Sequence, residues 1–396
     1  MSDGEMKPSL QRPVAPMVGA SRPVVTPIMP SVVYASDCPD ALDAQYEGRV
    51  FGHTYAREGH PNADLLARRV AAMEGLEDGI TLGSGMAAVT AVLLGLCRSG
   101  DHVLGADQLY GRSLRMMKED LPRLGIATSL ADPTDARAFA AAIRPETRMV
   151  LVEVVSNPTL RVADIDGIAA ACKDKGVLLV VDNTFTTPAA IRPLEHGADI
   201  VLHSVTKLLA GHSDVTLGWV GAKDRALLDA MRVFAVTTGL TASPFDCWLA
   251  ERGLATFDLR FARAQETAQR LGAHLAGQKG VTRVLYPTRP DHPDSARAQG
   301  LLQGRGGNML SFEIEGGRPA ANAFARAAEG IAFAPTLGDV GTTLSHPASS
   351  SHRALTPEGR AALGISEGFF RVSVGLEDPQ ALIACFDAGL SAARQV

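Results

Sequence analysis

The sequence predicts an α/β protein: a mostly parallel sheet covered by helices, followed by a second, smaller α/β domain. Three observations carry that prediction. Between residues 79 and 203, short apolar runs of strand length alternate with runs of helical periodicity, separated by brief turn segments. Two of the apolar runs, 177–181 and 200–202, end in clusters of polar side chains, Asp182-Asn183-Thr184 and His203-Ser204-Val205-Thr206-Lys207. Open α/β sheets hold ligands beyond the carboxyl ends of their strands, so such clusters are expected there. Past residue 248 the pattern changes to one long helix and then to strands that alternate as half-exposed strands do.

The elements follow in order. Residues 1–56 are proline-rich (Pro13, Pro16, Pro23, Pro27, Pro30, Pro39) and poorly periodic, which reads as an extended arm that wraps a partner subunit. Leu65, Leu66, Val70 and Met73 predict a helix over 62–73. A strand at 79–82 leads through Gly83-Ser84-Gly85-Met86 into a helix over 87–96. Strands near 102–105, 127–129 and 149–155 alternate with helices near 114–121, 139–143 and 168–175, before the two strands named above. Small and turn-forming residues occupy 237–244. A helix over 248–275 with a break at Gly253 follows, then strands at 282–286, 307–315 and 370–374. The expected division is an arm over 1–56, the main sheet domain over 57–246 and a C-terminal domain over 247–396.

The chain of 396 residues is 46% hydrophobic and 20% charged, with a net charge of −5, enough for two domains and a large core. It has no basic stripe for nucleic acid and no polybasic segment for anionic lipid. Its longest apolar stretch, 89–97, is too short to span a bilayer. The first residues lack the apolar core of a signal peptide, so the expected location is the cytoplasm. The five cysteines (Cys38, Cys97, Cys172, Cys247, Cys385) are scattered without metal-ligand spacing. They read as reduced, buried small hydrophobes, with no metal site implied.

The polar clusters point to a specific chemistry. Two neighbouring strands ending at Asp182 and at Ser204, Thr206 and Lys207 would deliver a carboxylate, hydroxyls and an amine to one crevice. That set suits pyridoxal 5′-phosphate (PLP). The amine bonds to the cofactor, the carboxylate keeps the pyridine nitrogen protonated, and the hydroxyls take the phosphate. A lone lysine past a strand is usually a solvated loop residue, and an aspartate there is often a helix cap; the order and spacing carry the case. Gly83-Ser84-Gly85-Met86 is neither a Walker loop nor a complete GxGxxG. By itself such a turn is equally a tight connection; with Ser204 and Thr206 as partners it reads as a phosphate cradle at a helix N-terminus. Tyr110, past the strand at 102–105, lies on the same sheet edge, where an aromatic ring can stack on a pyridine and its hydroxyl can shuttle a proton.

Taken together, these residues resemble the Cys/Met-metabolism PLP enzymes: cystathionine γ-synthase, cystathionine lyases, methionine γ-lyase and the O-acylhomoserine sulfhydrylases. The resemblance runs through Tyr55-Ala56-Arg57, Gly83 to Ala88, Leu109-Tyr110-Gly111, Ser156-Asn157-Pro158, Val181 to Phe185, His203 to Lys207, Gly211 to Asp214, Ser243 to Asp246, His346 to Ser349 and Gly364 to Gly368. It implies the aspartate-aminotransferase-like fold, PLP fold type I. It implies that Lys207 carries PLP, Asp182 pairs with the pyridinium and Tyr110 stacks on the ring. Gly85, Met86, Ser204 and Thr206 would bind the phosphate, completed by Tyr55 and Arg57 of a neighbouring subunit. Arg371 would grip the substrate α-carboxylate, backed by Thr336; Asn157 would help hold both the cofactor and that carboxylate, and Tyr110 would also contact the substrate. The implied assembly is a homotetramer, a dimer of dimers with shared active sites.

The chain also departs from the family's pattern. His60 and Asn62 are unusual in the segment after Arg57, Thr336 stands where a serine is common, and Gly341 stands where many relatives carry a glutamate suited to the far ammonium of cystathionine. Arg112 follows Gly111 where methionine γ-lyases place a cysteine. The resulting expectation is γ-elimination or γ-replacement on a 4-substituted L-2-aminobutanoate, such as an O-acylhomoserine, methionine or canavanine. The alternatives are a β-lyase acting on cystathionine or cysteine conjugates, and a non-catalytic PLP-binding homologue.

Overall fold

A computed structural model describes residues 20–396. Two sheets organise the chain. The larger contains β1 (Ile80–Leu82), β2 (His102–Ala106), β3 (Ala127–Ala131), β4 (Thr147–Glu153), β5 (Leu178–Asp182), β6 (Ile200–His203) and β7 (Gly218–Ala222). Their order is β1-β7-β6-β5-β4-β2-β3. β3, β2, β4, β5 and β6 run parallel, while β7 is antiparallel to both its neighbours. The mostly parallel sheet and its helical cover agree with the sequence reading. Parallel strands are buried on both faces, which is why β4 to β6 read as unbroken apolar runs.

The functional consequence is one of register. β5 pairs with β6 so that Asp182 lies opposite Leu202, and β4 pairs with β5 so that Glu153 lies opposite Asp182. The carboxyl ends of three adjacent strands therefore stop on one line. The chain leaves β6 at Ser204 and returns antiparallel as β7, and the intervening turn carries Lys207.

β7 and the helix Arg225–Thr238 were not legible in the sequence. β7 reads Gly-Trp-Val-Gly-Ala, and glycine weakens a strand prediction. Both glycines are required by packing. A Cβ on Gly218 would lie 2.0 Å from Ser84 O, and one on Gly221 would lie 2.4 Å from the Trp219 ring. Four further expectations are corrected. The predicted extended arm contains a helix, Pro39–Tyr46, started by a proline in its first turn; its first 19 residues, including Pro13 and Pro16, lie outside the described residues. The long helix does not break at Gly253, which is interior to Pro244–Leu254 and packs without a Cβ against Ala210 O. The interruption falls at Ala255 and Thr256, before Phe257–Ala276. The predicted helix at 114–121 includes a π turn over Met116–Asp120. Cys38 is exposed and Cys385 half-buried, whereas Cys97, Cys172 and Cys247 are buried as expected.

The second sheet contains β8 (Val281–Leu285), β9 (Met309–Ile314), β10 (Ala332–Phe333), β11 (Thr343–Ser345) and β12 (Phe369–Ser373), in the order β10-β11-β12-β9-β8. Alternation along β12 splits its side chains between two environments. Phe370 and Val372 join the apolar cluster under the helices Gly317–Ala327 and Pro379–Ala393. There Phe312, Phe324, Phe370 and Phe386 pack with ring centroids 5.1–5.8 Å apart. Phe369 belongs instead to the cluster of the larger sheet. Arg371, on that same side of the strand, faces the larger sheet's carboxyl edge. Among the described residues no helix is long and apolar enough to cross a membrane.

The edge is anchored from behind by Glu74, fully buried at the end of the helix Pro61–Glu74. Glu74 accepts hydrogen bonds from Asn183 Nδ2 (2.8 Å) and from His203 Nε2. It thus ties the residues after β5 and at the end of β6 to one carboxylate. Glu74→Ala strands the buried His203 ring, leaves Asn183 Nδ2 with Ile191 O alone, and is expected to destabilise the fold by about 2–3 kcal/mol. Denaturant titration checks this, and an unchanged midpoint would contradict the anchoring role.

Candidate active site

A cavity of about 250 Å³ opens where the carboxyl edge of the larger sheet faces β12. Ten of the twelve site residues expected from sequence line it: Gly85, Met86, Tyr110, Asn157, Asp182, Ser204, Thr206, Lys207, Thr336 and Arg371. Tyr55 and Arg57 do not. Tyr55 is 40% exposed; Arg57 lies over its ring at 5.3 Å and donates to Val236 O at 3.2 Å.

One wall is the first turn of the helix Gly85–Leu96. Ser84 caps it, its hydroxyl accepting from Ala87 N at 3.0 Å. A helix start presents unpaired N–H groups and a positive dipole end, which suits a phosphate. The approach is close because side chains are excluded: a Cβ on Gly85 would lie 2.6 Å from Ser204 Cβ. Opposite, Ser204 N donates to Thr184 Oγ1 at 2.8 Å, which fixes the strand exit. The Thr206 hydroxyl exchanges hydrogen bonds with Leu217 O (3.1 Å) and Leu217 N (2.9 Å), closing the turn that carries Lys207.

Asp182 sits at the end of β5, accepting from Thr184 N at 3.0 Å. Burial raises its proton affinity, and the Thr184 hydrogen bonds and His203 pull it back. Lys207 Nζ contacts Thr336 Oγ1 at 3.4 Å and forms no ion pair among the described residues. Burial, with the charge of Arg371 as a second cause, lowers its pKa. That favours the neutral, nucleophilic amine. Arg371 is buried and donates to Asn157 Oδ1 (2.9 Å) and Thr336 O (2.8 Å), while its Nε has no partner. Its pKa is pushed down to about 10 by burial. No carboxylate neutralises it among the described residues, an arrangement that calls for an anionic ligand.

Sequence reasoning missed Ser113, Glu153 and Thr216 among the polar lining residues, and it named Ser84 and Thr184 only as parts of the glycine turn and the strand-end cluster. Glu153 carried a legible signal: it is a carboxylate ending a buried strand, as Asp182 is. His203, grouped with the strand-end polar residues, does not line the cavity and is committed to Glu74. Gly341 also lies outside the lining. Its N donates to Asp339 Oδ1 at 2.7 Å, and a Cβ there would sit 3.3 Å from that oxygen. Arg112 is exposed and does not line the cavity.

The lining suits PLP. It combines a half-buried amine without an ion pair among the described residues, a half-buried carboxylate for a pyridinium and a side-chain-free helix start for a phosphate.

Comparison with known proteins agrees. The family described as Cys/Met metabolism PLP-dependent enzyme matches residues 17–391. An L-methionine gamma-lyase of Pseudomonas putida is 40% identical over 365 residues, covering 92% of this chain and 89% of its own length. The cystathionine beta-lyase MetC of Bacillus subtilis (strain 168) is 40% identical over 341 residues, 85% of this chain and 86% of its own length. A crystal structure of cystathionine gamma synthase from Xanthomonas oryzae pv. oryzae, in complex with aminoacrylate and cysteine, superposes with a TM-score of 0.92 at 37% identity, covering 98% of both chains. The likeness extends over nearly the whole chain: this chain belongs to the Cys/Met-metabolism family of PLP-dependent enzymes, and its cofactor is PLP.

Proposed function

We propose that this enzyme catalyses γ-elimination or γ-replacement on a 4-substituted L-2-aminobutanoate. The observation that carries the reading is Arg371, a buried guanidinium without a carboxylate partner among the described residues, which lines the same cavity as Asp182 and Lys207 and shares Thr336 with Lys207. An α-amino acid supplies the missing carboxylate and presents its amine and Cα to the lysine. The names of the similar enzymes, a methionine gamma-lyase and a cystathionine gamma synthase, support γ-chemistry.

When bound, PLP supplies an electron sink for charge that develops at Cα. The chain's residues divide the rest. Lys207 carries the cofactor and, once displaced by the substrate amine, takes the proton from Cα at its Nζ and then moves a Cβ proton. Asp182 keeps the pyridine nitrogen protonated. Gly85, Met86, Ser204 and Thr206 bind the phosphate, joined by Tyr55 and Arg57 of a neighbouring subunit. Tyr110 stacks on the ring and hands a proton to the group leaving Cγ. Arg371 takes the substrate carboxylate, and Asn157 and Thr336 hold the guanidinium in place.

The reading carries a homotetramer of two site-sharing dimers in the cytoplasm. It also carries the division into an arm (1–56), a PLP-binding domain (57–246) and a C-terminal domain (247–396). The boundary at 246 falls inside the helix Pro244–Leu254, which continues the main core into the C-terminal part.

A second reading, β-elimination, is favoured by the similarity to a cystathionine beta-lyase. Products separate the two. With γ- and β-substituted amino acids, with and without a thiol nucleophile, mass spectrometry is expected to detect 2-oxobutanoate or γ-replacement products. Pyruvate as the main product would assign the β-lyase reading instead.

The proton affinity of Lys207 gives a pH prediction with a defined sign. Burial and Arg371 lower it, so the apoprotein amine is neutral at a lower pH than an ordinary lysine. Arg371→Gln removes one of the two causes and raises the pKa. The pH at which the apoprotein takes up PLP, followed by visible absorbance, is therefore expected to move to higher pH. A shift to lower pH would refute the electrostatic account.

Assembly is tested by complementation. Arg57→Ala is expected to weaken PLP binding on the order of tenfold, by the loss of a charge-assisted phosphate contact. Mixed with Lys207→Ala protein and reassembled, it should regain activity at limiting PLP, because a hybrid dimer holds one intact site. No recovery in verified hybrids would place Arg57 outside the partner's site.

A further inference from the structure

Glu153 is the buried carboxylate in the cavity wall that the catalytic reading leaves without a role. It ends β4 opposite Asp182, and its Oε1 accepts the backbone N–H of Tyr110 at 2.6 Å. Tyr110 needs such an anchor. The residue is 43% exposed, so packing alone does not hold the ring over the cavity. The loop before it is fastened on its other side, where Gln108 Oε1 accepts from Thr159 Oγ1 at 2.6 Å and Ser156 Oγ at 3.1 Å. Between these two attachments Tyr110 begins the short helix Gly111–Arg115, and Leu114 N donates to its carbonyl at 2.9 Å.

We propose that Glu153 is a positioning residue that fixes the backbone of Tyr110 and thereby sets the tyrosine ring against the cofactor. This deepens the site reading above and rests on it. The carboxyl group forms no ion pair among the described residues, and the charged group facing it is Asp182 on the adjacent strand. Burial, and then the negative charge of Asp182, raise its proton affinity well above the usual carboxylate range. Burial therefore favours the protonated form of Glu153, and its Oε1 accepts from Tyr110 N. Asp182 has the Thr184 hydrogen bonds and His203 to stabilise its ionised form, whereas Glu153 has one backbone N–H.

The geometry makes an amide an adequate replacement and a shorter acid an inadequate one. Glu153→Gln keeps an acceptor at the same reach. Glu153→Asp keeps the acid and withdraws the acceptor from Tyr110 N. The readouts are the PLP dissociation constant of the apoprotein, from fluorescence quenching, and the circular dichroism of the bound cofactor, neither of which requires turnover. Glu153→Gln is expected to match the natural chain in both. Glu153→Asp is expected to bind PLP on the order of tenfold more weakly, the worth of one hydrogen bond to a buried group, and to change the dichroism. In a Tyr110→Ala background, Glu153→Asp should cost nothing further, because residues that act through one another are non-additive.

An unchanged Glu153→Asp protein, a Glu153→Gln protein as impaired as Glu153→Asp, or full additivity with Tyr110→Ala would each overturn the proposal. Failure of the underlying site reading looks different. The natural chain would then not take up PLP, or borohydride reduction and peptide mapping would label a lysine other than Lys207.

Discussion

The site depends on the parallel pairing of β5 with β6. That register sets Asp182 level with Leu202, so the carboxylate and the Ser204–Lys207 turn leave the sheet side by side. A slip of one residue would turn Asp182 to the other face of the sheet. The register is held by more than the ladder. Glu74 grips both Asn183 and His203 from beneath, and Ser204 N donates to Thr184 across the two strand exits. Leu179 N also donates to Asp199 Oδ2 at 2.8 Å, fixing the approach to β6.

A second constraint is electrostatic. Lys207, Arg371, Asp182 and Glu153 all line one cavity, where unpaired charge is expensive. The chain leaves Lys207 and Arg371 without carboxylate partners among the described residues and keeps two carboxyl groups side by side. Neither arrangement stabilises the fold; each makes sense as a standing demand for ligands of complementary charge. A phosphate at the helix start, a pyridinium at Asp182 and a substrate carboxylate at Arg371 would satisfy that demand. The strain is contained by neutral groups: Asn157 and the Thr336 carbonyl hold Arg371, and Thr184 holds Asp182.

The second sheet contributes through alternation. Phe370 and Val372 are locked into an aromatic core, and this fixes which way Arg371 points. The guanidinium then meets Asn157, 214 residues earlier in the chain. The glycine-rich β7 serves the same end from the opposite side. Its missing Cβ at Gly218 lets the backbone of Ser84 approach, which seats the start of the helix Gly85–Leu96 against the Lys207 turn.

The sequence by itself determined the α/β class, the strands β4 to β6 and ten of the residues that line the cavity. It could do so because buried parallel strands are unbroken apolar runs, and polar clusters at their ends stand out against them. Tertiary structure decided what local pattern does not encode. β7 was invisible because its glycines answer to Ser84 and Trp219, contacts distant in sequence. His203 belongs to the scaffold because Glu74, 129 residues away, reaches it. Gly341 and Arg112 looked like pocket residues by motif position, yet neither lines the cavity. Glu153 showed the same strand-end signal as Asp182, but its meaning came only from the neighbour it meets: a backbone N–H of Tyr110, brought to it by the pairing of β4 with β2. Burial and partnership are properties of the packed chain, and they determine which polar residue becomes chemistry and which becomes structure.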